Sequence, residues 1–175
     1  KHLRITLMDE ASVEALIAAE MDAHIRQAYG EMLSGAQEHP EDKQWYLPWQ
    51  MTLKSGERVG DACFKGSPKK HAVEIGYGVD ESYRRKGYAT ETVKALCDWA
   101  FSQEQVYYVE AEAEVDNEAS IGVLGKCGFA GDGEGAEGHR YLLRKPGPMN
   151  MTLFMSFGLA LGISLGSLWG SVPLG

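Results

Sequence analysis

The sequence predicts a mixed α/β domain, a sheet with helices on its faces, from three observations. "VYYVEAEAEV" (Val106 to Val115) alternates strictly, with Val109, Ala111, Ala113 and Val115 toward one face and Glu110, Glu112 and Glu114 toward the other. "YRRKGYATETVKALCDWAF" (Tyr83 to Phe101) places Val93, Leu96, Cys97, Ala100 and Phe101 on one helical stripe. Strands alternate with helices only in the second half of the chain, which favours a mixed sheet over an all-parallel one.

The elements follow in order. "LRITL" is a first strand, and Asp9 is placed to cap a helix carrying Val13, Leu16, Ile17 and Met21 at helical spacing. A second helix spans about Ala23 to Gly35 and is broken by "QEHPED". "WYLPWQMTLK", the turn "SGER" and "VGDACFK" predict a hairpin with Pro48 at an edge or bulge. "AVEIGYGV" is the next strand, followed by the long helix and the alternating strand. Asp116 or Asn117 caps a short helix ending at Gly128, a fitting C′ residue. The Gly-rich "GDGEGAEG" predicts a loop before a last strand, "HRYLLRK". The predicted order is β-α-α-β-β-β-α-β-α-β.

Composition narrows the function. The chain has 175 residues, 44% of them apolar, enough for one domain with its own core. Its formal net charge of −8 argues against a nucleic-acid partner, which would want a basic face. Cys63, Cys97 and Cys127 are widely spaced and form neither a zinc pair nor a disulfide framework. His24, His71 and His139 stand singly, so no metal is expected. The opening segment lacks the apolar run of a secretory signal, and the expectation is a cytoplasmic protein with reduced thiols.

Against that acidity, Arg84, Arg85 and Lys86 crowd one junction ahead of Gly87 and a helix start. A helix N-terminus offers unpaired N–H groups and the positive end of a dipole, so it attracts phosphate. Gly87 permits close approach of a ligand to the backbone. Gly76 and Gly78 inside the preceding strand mark a bulge or a ligand lying close. From the residues alone, the readings are a nucleotide-like anion site or a solvated basic turn.

The residues also carry a resemblance. "RRKGYA" (Arg84 to Ala89) matches the Arg/Gln-x-x-Gly-x-Gly/Ala signature of the GNAT acetyltransferase superfamily, in its place between the fourth strand and the long helix. "VEIGYGVDESYRRKGYATE" and "VEAEAEVDNEASIGVLGKCGF" look like the branch containing the ribosomal-protein N-terminal acetyltransferases. The resemblance implies a mostly antiparallel sheet whose splayed strands form an acetyl-coenzyme A site. It implies that acetyl-CoA is the co-substrate, held by Arg84, Arg85, Lys86, Gly87, Tyr88, Ala89 and Thr90 around its pyrophosphate. The pantetheine arm would pair with the strand ending at Val79, and Asn117 would contact it from the facing helix. The implied reaction is direct acetyl transfer to a primary amine, a protein N-terminus or a small molecule. Glu74 is the candidate base, with a solvent-facing strand carboxylate as the other reading. Many members have an acidic Tyr seven residues after the Asn; here Leu124 stands there, and Ser120 is the remaining hydroxyl, either acid or capping residue. That departure keeps a second function open, a degenerate acyl-CoA-binding domain acting as sensor or scaffold.

The sequence divides into an acetyltransferase domain, 1–148, and an uncharged Gly-rich segment, 149–175. Gly158, Gly162, Gly166 and Gly170 recur every fourth residue of "MTLFMSFGLALGISLGSLWGSV", residues 151–172. Small residues at this spacing let helices approach closely in lipid. The expectations are a membrane tether, a homo-oligomer contact, a helix packed on the domain, or an extension foreign to it.

Overall fold

The computed structural model describes residues 1–147; the calls made on 151–172 lie outside them. Among the described residues no helix is long and apolar enough to cross a membrane.

Seven strands form one sheet in the order β1-β2-β3-β4-β5-β7-β6. They are β1 (Leu3–Leu7), β2 (Trp49–Leu53), β3 (Arg58–Phe64), β4 (Ala72–Val79), β5 (Tyr108–Ala113), β6 (Ala130–Glu134) and β7 (His139–Arg144). Every neighbouring pair is antiparallel except β4 and β5. The helices are α1 (Glu10–Ala19), α2 (Ala23–Glu38), α3 (Tyr88–Phe101) and α4 (Glu118–Lys126). The expected mixed α/β architecture is the one observed.

Local chemistry sets the helix ends. Asp9 accepts from the Ser12 amide at 2.7 Å and caps α1 as expected. Asp22 caps α2 through the amides of His24 and Ile25. α2 runs to Glu38, past the predicted end, and its last amide bonds survive until the His39–Pro40 step removes the next donor. Gly128, at φ +87, ends α4 in the left-handed conformation that glycine adopts without strain.

The sheet alternation sorts the core. Val73 and Ile75 of β4, with Val109, Ala111 and Ala113 of β5, bury their side chains with Val93, Leu96, Cys97 and Ala100 of α3. Trp45, Phe64, Trp49 and Trp99 form a linked aromatic group with centroids 4.8 to 5.6 Å apart. A smaller core joins α1 and α2 through Met8, Val13, Tyr29, Ala36 and Leu47. α2 meets β3 where Tyr29 donates to Asp61 Oδ2 at 2.5 Å, and Arg58 pairs with the same oxygen.

Further expectations are corrected. Met21, expected on the apolar stripe of the first helix, lies beyond the end of α1 and is exposed. β5 stops at Ala113, and Val115 is 63% exposed instead of continuing the buried face. The Gly-rich stretch expected to be a loop contributes β6, an edge strand paired to β7 with a register shift between Gly131 and Glu134. Its glycines carry no strand signal, and the pairing is imposed by β7 and by Arg140 Nε donating to Asp132 at 3.1 Å.

Candidate active site

The ladder between β4 and β5 is short. It runs Ala72–Tyr108, Val73–Val109, Glu74–Glu110 and then ends. Beyond Glu74, β4 continues to Val79 bonded only to β3, and beyond Glu110, β5 continues bonded only to β7. The two parallel strands therefore part, leaving backbone N–H and C=O groups of β4 facing a gap. An unpaired strand edge of this kind accepts another extended chain.

A cleft of about 720 Å³ opens in that gap. Its walls are Tyr77, Gly78 and Val79 of β4, the segment Tyr83 to Thr90 except Lys86, and Asn117, Ala119, Ser120, Val123 and Lys126. The floor between β4 and α3 follows from the sequence junction singled out above. Arg85 is left-handed at φ +65 and Gly87 at φ +80, so the chain curls just before α3 begins. The first-turn N–H groups of Tyr88, Ala89 and Thr90 have no acceptor within the helix. Such a curl ahead of a helix start makes an anion-binding concavity. A Cβ at Gly87 would meet nothing within 4 Å, so open space lies over the turn.

The charges around it are available. Arg84, Arg85 and Lys86 are exposed, and none forms an ion pair among the described residues. Arg84 Nε donates to the Val79 carbonyl at 3.0 Å, which ties the loop to the end of β4. Lys86 Nζ lies 5.5 Å from the Tyr83 ring centroid, and the Tyr83 hydroxyl donates to Glu57. Lys86 sits beside the cleft and does not line it.

On the facing side, Asn117 caps α4 by accepting from the Ser120 amide at 3.1 Å. Ser120 lies on the first turn, and its Oγ is 2.8 Å from the Tyr77 hydroxyl, which also donates to the Ser120 carbonyl at 3.3 Å. Burial raises the Tyr77 pKa above its ordinary value, while the Ser120 bond acts in the opposite sense. Tyr77 thus stays protonated throughout the neutral range. Only the fold shows that β4 aims Tyr77 at α4.

Leu124 is fully buried in the core. The position that carries an acidic Tyr in many look-alike sequences is thus packed away from the cleft, and Tyr77 and Ser120 supply the paired hydroxyls at its wall.

Glu74 does not line this cleft. It belongs to a second cavity of about 540 Å³, with Lys65, Lys69, Lys70, Ala72, Tyr108, Glu110, Asp132 and Leu142. Strand alternation explains the separation, since Val73 and Ile75 point into the α3 core and Glu74 points to the other face. Lys65 Nζ pairs with Glu74 at 2.7 Å and with Glu137 at 3.3 Å. Glu74 and Glu110 are the last ladder pair, so this second cavity reaches the point where the strands part. Of the other alternating acids, Glu112 accepts the amides of Ala136 and Glu137 and holds the β6–β7 turn. Glu91 accepts the amides of His2 and Leu3 and ties the start of α3 to the start of β1.

Of the β4 glycines, neither is required by crowding: a Cβ at Gly76 would meet Cys63 Sγ at 3.7 Å and Lys65 Cε at 3.8 Å, both ordinary contacts, and one at Gly78 nothing within 4 Å. The close approach is on β3, where a Cβ at Gly60 would stand 2.3 Å from the Gly78 carbonyl oxygen.

This splayed sheet with a cationic turn at the helix start is matched by similarity to known proteins. A family model described as an acetyltransferase (GNAT) domain matches residues 5–130. The chain belongs to the GNAT acetyltransferase family. It is 40% identical over 91 residues to the "uncharacterized N-acetyltransferase YjdG" of Bacillus subtilis (strain 168), 51% of this chain and 54% of that protein. The match thus spans about half the length of this curated relative. Among solved structures, RimL, a ribosomal L7/L12 alpha-N-protein acetyltransferase in complex with coenzyme A, superposes with a TM-score of 0.63 at 20% identity. That match covers 82% of this chain and 94% of the other. Aminoglycoside acetyltransferase AAC(6')-Ib in complex with coenzyme A superposes with a TM-score of 0.59 at 21% identity, over 82% and 95%. At these identities the superpositions speak for the GNAT fold alone.

Proposed function

We propose that this GNAT domain transfers the acetyl group of acetyl-CoA to a primary amine, in the manner of the ribosomal-protein N-terminal acetyltransferases. The observation that carries the reading is the parting of β4 and β5 directly above a cationic, left-handed turn at the start of α3. That combination suits a long ligand with phosphates at one end and an extended arm.

Acetyl-CoA supplies a thioester whose carbonyl a neutral amine attacks, with the thiolate departing. The residues divide the remaining work. N–H groups from Arg85 to Thr90 take the pyrophosphate oxygens, and Arg84, Arg85 and Lys86 lower the electrostatic cost of gathering that charge. The free edge of β4 ending at Val79 pairs with the pantetheine amides. Asn117 donates to the arm from α4. Glu74 accepts the proton that the acceptor ammonium must lose, directly or through water. Ser120 hands a proton to the departing sulfur as it takes one from the Tyr77 hydroxyl, and water in the open cleft returns a proton to Tyr77.

Titration calorimetry of the full chain with acetyl-CoA, followed by a thiol-release assay over a panel of amines, tests this. Binding with release for at least one amine supports the reading. Binding with no release for any amine would instead favour an acyl-CoA sensor or scaffold. Glu74→Gln should lower kcat by about 10²-fold or more, as loss of a general base does, with KM for acetyl-CoA unchanged.

A further inference from the structure

The cavity on the far side of the sheet has a polarity that identifies a class of acceptor. Several of its charges are already neutralised. Glu74 and Glu137 share Lys65, and Asp132 is held by Arg140 at 3.1 Å. The charges left over are segregated. The Glu110 carboxylate has no hydrogen-bond or ion-pair partner among the described residues and sits where β4 and β5 part. Lys69 and Lys70, likewise unpaired, sit at the opposite end on the turn entering β4.

That turn is held in place. Lys70 and His71 are both left-handed, at φ +50 and +65, in a tight reversal closed by paired bonds between Lys69 and Ala72 at 2.9 Å. Non-glycine residues adopt this conformation only when their surroundings enforce it. His71 is enforced by stacking on Tyr107 with centroids 4.5 Å apart, and its carbonyl accepts the amides of Tyr107 and Tyr108. The two lysines are therefore presented from a fixed backbone, not from a loose loop.

The cavity is thus negative where transfer would occur and positive at its far end. Lys69 is bridged to Ala72, and Ala72 is two residues from Glu74. At the rise of a strand the two ends lie roughly 7 to 10 Å apart, two or three residues of extended chain. We propose that the acceptor is a peptide N-terminus bearing an acidic side chain two or three residues beyond its amine. This rests on the acetyl-transfer reading and specifies its substrate. A free amino acid holds its carboxylate too near the amine to reach the lysines. A polyamine or other polycation would place its second charge against them.

The full chain, saturated with acetyl-CoA, is offered Ser-Ala-Asp-Asp-Ala amide, Ser-Ala-Arg-Arg-Ala amide and spermidine, with thiol release as readout. The acidic peptide should be preferred over the basic one in kcat/KM by about tenfold, the size of two part-exposed ion pairs. The preference should shrink as salt is raised. Lys69→Glu with Lys70→Glu should reverse it while leaving acetyl-CoA affinity intact, since neither residue lines the cofactor cleft. Equal or greater use of the basic peptide or spermidine by the unaltered chain would overturn the proposal, as would lysine variants that keep its peptide preference. Either result leaves acetyl transfer itself standing. Release with none of the three, when another amine does react, also overturns it. Release with no amine at all removes the transferase reading and the proposal together.

Discussion

The Tyr77 hydroxyl lies 2.8 Å from Ser120 Oγ, joining the free end of β4 to the first turn of α4 across the wall of the cleft. Neither group alone makes a convincing proton donor. A serine hydroxyl is a very weak acid, and burial makes the phenol hold its proton more tightly. In the proposed transfer the two would act as a relay, Ser120 giving a proton to the departing sulfur as it takes one from Tyr77. Tyr77→Phe should lower kcat by about 10- to 100-fold, the lower range for a lost acid–base group. KM for acetyl-CoA should move by less than twofold. A thioester with a more acidic thiol needs less help in leaving, so the defect should shrink with such a substrate. A defect in KM instead, or one indifferent to thiol acidity, would assign Tyr77 to packing.

Gly87 separates geometry from charge. Its φ of +80 disfavours any side chain, yet the space beside it is open. Gly87→Ala should therefore cost only backbone strain, about 1 kcal/mol of stability. Gly87→Glu adds the same strain and an anion in the phosphate cradle. It should weaken acetyl-CoA binding by about 100-fold or more, with a melting temperature matching that of the alanine variant. Equal affinities in the two variants would mean that the turn does not hold the pyrophosphate.

Leu124 offers a different test, of what the fold will tolerate. A tyrosine there would restore the residue type seen in many look-alike sequences. The side chain is completely buried, however, and surrounded by the core of α3, α4 and β5. Leu124→Tyr should therefore destabilise by about 1 to 3 kcal/mol through overpacking, without rescuing Tyr77→Phe. Rescue in the double variant, measured as restored kcat, would show that the new phenol reaches the cleft.

These residues show why some of the site was legible in the sequence and some was not. The turn at Arg84 to Gly87 announced itself because its charge contradicts the acidity of the chain and because a helix pattern starts at once after it. Strict alternation made the β5 core face readable as far as Ala113. The parting of β4 and β5 has no local signature, since it depends on which strand each edge pairs with in three dimensions. Tyr77 and Glu74 are three residues apart yet serve opposite faces, and only the register of β4 assigns them. β6 was missed for a related reason: a glycine-rich edge is made a strand by its neighbour and by Glu112 and Arg140, not by its own propensity.

The cysteines provide the pH test. Burial pushes the Cys63 thiol up to about 11 and Cys97 up to about 12, against an ordinary value of 9.0. Burial also raises Cys127. With so little thiolate at neutral pH, Cys63 and Cys97 should resist iodoacetamide at pH 8 in the folded protein and react promptly once it is unfolded. The same shifts fix the sign of the alkaline stability change. Above pH 9 the unfolded chain releases thiol protons that the folded chain still holds, so the unfolded state binds fewer protons and stability falls as pH rises. Each fully shifted thiol contributes a slope of at most about 1.4 kcal/mol per pH unit between pH 9 and its folded value. Below pH 9 both states are protonated and the contribution is constant. Melting curves from pH 7 to 11 should be flat at first and then decline, and Cys97→Ala should reduce the steepness of that decline. A slope unchanged by the substitution would mean that Cys97 titrates normally and that the α3 face is open to water.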